Sequence, residues 1–229
     1  MQTANMLIYI LSYVMVFVLS WISKINNNHR LFNDEGGITQ KPGNLLGIHV
    51  IGIMWLGLVP VIQLKLSVFE ILFGTQMPGI FAFFSFALIY LLVISIANKL
   101  GENINGTGLQ SNEIFGRLTQ AFFKRYFITR ALYLFVYELW FRGFLLFECI
   151  NQFGIPAAIS INIFLYTLLH IFKSKKEILV CIPFGLVLCF LSIYFNAAWP
   201  AIILHMGFSL VYELNIYRNY INSFKTARS

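Results

Sequence analysis

Long apolar runs broken by short polar stretches recur along the whole chain. A helix needs about 20 largely apolar residues to cross a ~30 Å hydrocarbon core. The runs place crossings near Met6–Ser23, Leu45–Leu64, Gly79–Asn98, Tyr126–Ile150, Ile155–Phe172, Ile178–Phe195 and Trp199–Tyr217. The fold class they predict is all-α, a polytopic membrane helical bundle of about seven transmembrane helices. The run Leu66–Phe73 is too short to cross, and is expected at the interface or folded back on itself. No base precedes the first run and no small-residue cleavage site follows it, so it reads as a retained span rather than a signal peptide.

The bases test this division. Lys24, Arg30 and Lys41 lie between the first two spans, and Lys99, Arg117, Lys124 and Arg125 between the third and fourth. Lys173, Lys175 and Lys176 follow the fifth, and Arg218, Lys225 and Arg228 follow the seventh, whereas the opposite loops hold Lys65 alone. Such asymmetry is what the positive-inside rule predicts. It places the N-terminus outside and the C-terminus in the cytoplasm. Asn103–Asn112, Gly36-Gly37 and Lys41-Pro42-Gly43 carry the turn residues of connecting loops. No internal repeat appears, and residues 1–229 read as a single membrane domain.

Composition narrows the function classes. Of the 229 residues 59% are hydrophobic and only 11% charged, against about 25% charged in ordinary globular chains. Too few polar groups remain to cover a water-facing surface, which excludes a cytosolic enzyme, a disordered tail and a disulfide-stapled secreted module. The net charge of +7 is scattered between apolar runs and forms no patch, so no nucleic-acid partner is expected. Cys149, Cys181 and Cys189 sit within apolar stretches without CxxC spacing, and read as small buried hydrophobes.

The remaining information lies in polar groups inside the spans: His49, Arg130, Glu138, Arg142, Glu148, His170, His205 and Glu213. An ionisable group at mid-bilayer costs a few kcal/mol or more unless it finds a partner, a wet cavity or the interface. Arg130, Glu148 and Glu213 lie near span ends and are expected to snorkel. Glu138 and Arg142 are four apart and stack on one helix face, where a structural ion pair is the simplest account. Tyr166 and His170 repeat that spacing on another span, and His205 and Ser209 on a third. One shared polar cavity satisfies all three pairs. At 1.5 Å rise per residue His170 lies only ~4.5 Å from the cytoplasmic Lys173, while His205 is ~18 Å from Tyr217. Convergence therefore requires a cavity open toward the cytoplasm, or span ends displaced by a turn.

In order, the stretches Tyr-Glu-Leu-Trp-Phe-Arg-Gly-Phe-Leu-Leu (137–146), Tyr166-Thr-Leu-Leu-His170 and Trp199-Pro-Ala-Ile-Ile-Leu-His205-Met-Gly-Phe-Ser209 resemble the CPBP family. These are the CAAX-processing and bacteriocin-processing intramembrane proteases, also called the Abi family. Their pattern is EExxxR, then an aromatic-xxxH, then HxxxN or HxxxD; the likeness covers roughly 126–217. The resemblance implies a conical membrane bundle that hydrolyses peptide bonds of membrane-associated or prenylated peptides. It also implies roles: the first Glu of the doublet and the second-motif His activate water, the Arg holds the acidic motif, and the third motif stabilises the oxyanion. Carried over, Glu138 is the second Glu, Arg142 the Arg, His170 the second-motif His and His205 the third-motif His. Tyr137 stands where the family has its first Glu, and Ser209 where it has Asn or Asp. Size and resemblance together suggest a prokaryotic plasma membrane.

Chemistry judged on the residues alone gives a related picture. Hydrolysis needs a base, a proton shuttle and donors for the tetrahedral oxyanion. Glu138 qualifies as base, His170 as shuttle, and His205 and Ser209 as donors, with Tyr137 as a further donor. A phenol, with an ordinary pKa of about 10, is a poor base at neutral pH. No organic cofactor is implied. Glu138, His170 and His205 are suitable ligand types for zinc, although no HExxH signature demands it. Two rival readings remain: an inactive relative that binds a peptide or partner as an immunity or regulatory membrane protein, and a transporter. The absence of an inverted repeat counts against transport.

Overall fold

The computed structural model describes residues 2–25, 31–32, 38–39, 41–64, 67–75, 78–104, 118–172 and 175–226. Most of the expected flexible loop at Asn103–Asn112, and the Gly36-Gly37 pair, lie outside them. Among the described residues eight helices form the bundle. They are α1 (Gln2–Ile25), α2 (42–64, with a π-helical turn at Met54–Leu58), α3 (Val68–Phe73) and α4 (Ile80–Glu102). Then come α5 (120–153, with a π-helical turn at Leu139–Leu145), α6 (Ile155–His170), α7 (Lys175–Phe195) and α8 (Trp199–Thr226). No β-strand occurs among the described residues beyond an isolated bridge between Phe32 and Ile38.

Every crossing expected from the apolar runs coincides with a helix, and the short run Leu66–Phe73 holds α3. Four stretches, Met6–Ile25, Pro42–Ile62, Ile80–Glu102 and Glu177–Phe195, are long and apolar enough to cross a bilayer, and Ile155–His170 is apolar but shorter. The helices 120–153 and 199–226 fall below that apolarity because they carry the polar groups, which point inward. Outward faces are greasy: on α4, Phe81 is 83% exposed and Leu88 70%, a surface suited to lipid and costly in water. The chain is thus an all-α membrane helical bundle.

Three local features fix the helix ends. Pro42 opens α2 at its first turn, where the missing N–H is not needed. The Thr119 side chain accepts from the Phe122 N–H, capping α5. Gly154, at φ 80°, turns the chain sharply from α5 into α6, a conformation that favours glycine. The central core gathers Trp140, Phe141, Tyr166 and Leu146 around the middle of α5. A second cluster packs Leu31, Phe32 and Ile38 against Phe123, Tyr126 and Tyr220 at one end of the bundle. At the other end the Ala198 N–H, between α7 and α8, donates to the Ile71 carbonyl of α3 at 3.0 Å.

Helices α4 and α8 pack backbone to backbone. A Cβ on Gly101 would lie 2.7 Å from the Tyr212 carbonyl oxygen and 2.8 Å from Asn215 Cβ. Asn219 donates from Nδ2 to the carbonyls of Gly101, Glu102 and Ile104 at the end of α4. Gly101→Ala is expected to destabilise the protein by about 1–3 kcal/mol, because a backbone carbonyl cannot step aside. Gly47→Ala, which meets nothing within 4 Å, is expected to be neutral or slightly stabilising. Thermal unfolding of both purified variants in detergent checks the contrast.

Candidate functional site

The site forms between two antiparallel polar stripes. On α5, Tyr126, Arg130, Glu138 and Arg142 fall at intervals of four or eight residues, and on α8 His205, Ser209 and Glu213 fall at intervals of four. Groups four apart share a helix face, so the two stripes meet rung by rung. His205 Nδ1 donates to Glu138 Oε1 at 2.6 Å. Arg130 donates from Nη2 to Ser209 Oγ at 3.2 Å and from Nε to Glu213 Oε1 at 3.2 Å. The Tyr126 hydroxyl donates to Glu213 Oε2 at 2.6 Å.

Glu138 and Arg142 are both fully buried. Arg142 Nε lies 3.4 Å from Glu138 Oε2, an ion-pair contact without hydrogen-bond geometry. Burying such a pair is costly unless further partners take up its donors and acceptors. One comes from α6: Arg142 Nη1 donates to Asn162 Oδ1, and Asn162 Nδ2 donates to the Phe141 carbonyl at 2.6 Å, while Arg142 Nε and Nη2 and Glu138 Oε2 have no hydrogen-bond partner among the described residues. The guanidinium carbon also sits 4.7 Å over the Tyr166 ring, a cation–π arrangement. The π-helical turn at Leu139–Leu145 carries Arg142 and the Phe141 carbonyl; such turns often mark functional sites.

A cavity of about 90 Å³ adjoins this chain of charges, and about 700 Å³ when its open mouth is included. Its wall includes Ser20, Ser23, His49, Arg130, Tyr133, Tyr137, His170 and His205. Among the described residues no carboxylate belongs to the wall. Glu138 stands behind His205, and Glu213 stands behind Arg130. The Tyr137 hydroxyl is buried with no hydrogen-bond partner among the described residues; its ring lies 6.2 Å from that of His205 and 6.1 Å from that of Tyr166. His170 Nδ1 donates to the Tyr166 carbonyl at 2.9 Å. Because a carbonyl and a carboxylate can only accept, both site histidines hold their proton on Nδ1 when neutral, leaving Nε2 as the acceptor.

The six residues singled out in the sequence therefore separate into roles of place. Tyr137, His170 and His205 line the cavity. Glu138 and Arg142 lie behind it, joined to it through His205, and Ser209 lies one turn along α8, against Arg130. Arg130 and Glu213 do not snorkel as expected. Arg130 is 9% exposed and Glu213 1%, and they pair across helices because both fall on the inward stripe. Asn162, absent from the sequence-based selection, holds Arg142; its only sequence signal was an amide in an otherwise apolar span, four residues before Tyr166. His49 joins the cavity too, its ring 4.9 Å from that of Tyr133. Among the described residues no three His, Cys, Asp or Glu side chains are grouped so as to hold a metal ion.

Asn162→Leu is expected to destabilise the fold by about 3–5 kcal/mol, since it strips a buried guanidinium of its neutral partner. Asn162→Asp, which keeps the acceptor, is expected to be milder. The midpoint of thermal unfolding in detergent reads the difference.

Neither a curated protein nor a solved structure matches the chain. Residues 119–211 match a family model described as type II CAAX prenyl endopeptidase Rce1-like. That stretch runs from the cap of α5 past Ser209 on α8, and so holds Tyr137, Glu138, Arg142, Asn162, His170 and His205 together. The part of this membrane protein that builds the site is thus similar to the CAAX-protease family that its three motifs resemble.

Proposed function

We propose that the protein is an intramembrane endopeptidase for membrane-associated peptides, with His205 rather than Glu138 as the base that activates water. The observation that carries this reading is the 2.6 Å hydrogen bond from His205 Nδ1 to the buried Glu138 carboxylate, with His205 on the cavity wall. A carboxylate behind an imidazole fixes its tautomer and stabilises the imidazolium that forms, as in hydrolases of the triad type. Glu138 is a positioning residue in this scheme. Arg142 and Asn162 hold it in turn.

In the proposed reaction His205 Nε2 removes a proton from water as the water oxygen attacks the peptide carbonyl. His170 Nε2 accepts the second water hydrogen and orients the attack. The Tyr137 hydroxyl donates to the oxyanion. As the C–N bond breaks, the imidazolium of His205 returns its proton to the leaving amine. Tyr137, which cannot replace the family's carboxylate as a base, thus acts as a donor.

The cavity is assigned to the cytoplasmic side. Its wall comes from the last turns of α1 (Ser20, Ser23), the first turns of α2 (Leu45, Ile48, His49) and the end of α6 (Leu169, His170, Phe172). Those helix ends adjoin the base-rich loops containing Lys24, Lys41 and Lys173. A cavity open to the cytoplasm is one of the two ways in which His170 and His205 could converge. An N-terminus outside and a C-terminus in the cytoplasm accord with it.

The test is cleavage of prenylated and unprenylated peptides in vesicles, followed by mass spectrometry. Glu138→Gln is expected to lower kcat by roughly 10³–10⁴-fold, through loss of the correct tautomer. His205→Gln should be at least as severe, and Tyr137→Phe should cost about 10²-fold by removing one oxyanion donor. Cleavage that survives both Glu138→Gln and His205→Gln would overturn the scheme. The unpartnered Tyr137 hydroxyl in the family's carboxylate position favours one second reading, a relative that binds peptide without cleaving it. That reading prevails if the native chain cleaves nothing and Tyr137→Glu creates activity.

A further inference from the structure

The bundle holds another cavity, at the opposite end of α1. Tyr9 and Tyr13 belong to its wall, Ser20 and Ser23 to that of the first, and the helix between Tyr9 and Ser20 spans ~17 Å. Its volume is about 380 Å³, or about 900 Å³ with its open side included, in the range of ligand pockets, ~300–1,000 Å³. Trp140 and Leu145 of α5 and Ile161 and Leu165 of α6 complete a wall whose surface is wholly apolar. The rings of Tyr9 and Tyr13 each lie 6.2 Å from that of Trp140, and the Tyr13 hydroxyl donates to the Leu165 carbonyl at 3.0 Å. Three helices thus frame a slot. Its exposed lining residues, Ile10 and Phe153, belong to the greasy outer surface of the bundle, so the slot opens to hydrocarbon rather than to water.

An unfilled slot of this size forfeits dispersion contacts along its walls, and a lipid chain is what lies beside it. An apolar slot alone does not select among lipids, because their tails are as apolar as its walls. Selection needs a polar group, and one acid supplies it. Glu148 and Gln152, in the last two turns of α5, also border the slot; they give it only their methylenes, and their polar ends lie at its margin. Gln152 Nε2 donates to Glu148 Oε1 at 2.6 Å, a neutral partner that leaves the acid without a counter-charge. Among the described residues no base pairs with Glu148, and the base-rich loops lie at the other end of the bundle. We propose that the slot takes one acyl chain of a phosphatidylethanolamine, whose ammonium group donates to the Glu148 carboxylate, a charge-assisted hydrogen bond. A choline headgroup carries the same charge with no N–H to donate, and a glycerol headgroup brings no cation. This lipid site is independent of the peptidase scheme.

The experiment titrates full-length protein, freed of copurifying lipid in detergent, with dioleoyl phosphatidylethanolamine, phosphatidylcholine and phosphatidylglycerol. Native mass spectrometry counts the lipid bound. One ethanolamine lipid per chain is expected to bind about 10-fold or more tighter than either of the others, the scale of one hydrogen bond to a charged group. Glu148→Gln is expected to abolish the headgroup preference. Ile161→Trp, which fills the slot, is expected to remove the tightly bound lipid altogether; circular dichroism reports whether each variant is folded, and the headgroup comparison on the native chain needs neither. Equal or weaker binding of the ethanolamine lipid to the native protein, or several ethanolamine lipids bound with like affinity, would overturn the proposal. So would a preference kept in folded Glu148→Gln, or tight binding kept in folded Ile161→Trp.

Discussion

The structure depends on one buried carboxylate. Glu138 has no exposure at all, and an isolated carboxylate there would be prohibitively unstable. Arg142, one turn along the same helix, cancels its charge; His205, from α8, takes up its other oxygen. The demand of that single group therefore joins α5 to α8. Through Asn162 it also joins α5 to α6. The three helices that carry the chemistry are those that the carboxylate's partners hold together, so positioning for reaction and stability of the centre are one requirement.

A second ion pair repeats the logic two turns away. Arg130 and Glu213 lie across the same helix pair, so α5 and α8 are fastened at two levels with opposite polarity of charge: acid on α5 at one level, acid on α8 at the other. Sliding α8 by one turn would part Glu138 from His205 and strand Arg130, whose partners Ser209 and Glu213 both lie on α8. Polar groups in lipid thus fix register more firmly than the apolar contacts around them, which tolerate repacking.

Much of this was legible in the residues. The apolar runs marked each helix because a bilayer leaves few alternatives, and the four-residue spacing of Glu138 with Arg142 and of His205 with Ser209 identified the faces that meet. Arg130 and Glu213 were misread because position along a span was taken as depth; α5 is 34 residues by its bounds of 120–153, longer than the bilayer requires, and their inward azimuth decided the outcome. The same limit applies to Glu138. Spacing placed it on the right face but could not tell the wall of a cavity from the layer behind it, because that distinction depends on side chains of other helices, here His205 standing between Glu138 and the void. Asn162 escaped notice because one amide in an apolar helix carries no periodic signal.

The cavity wall draws on both halves of the chain. One side comes from α5, α6 and α8, inside the stretch that matches the family model, whereas Ser20, Ser23, Leu45, Ile48 and His49 come from α1 and α2, ahead of that stretch. Substitutions at those α1 and α2 positions would therefore reshape the wall without touching the charge chain behind His205. Relatives with the same three motifs and unrelated leading helices would then be expected to share a reaction while differing in what reaches it.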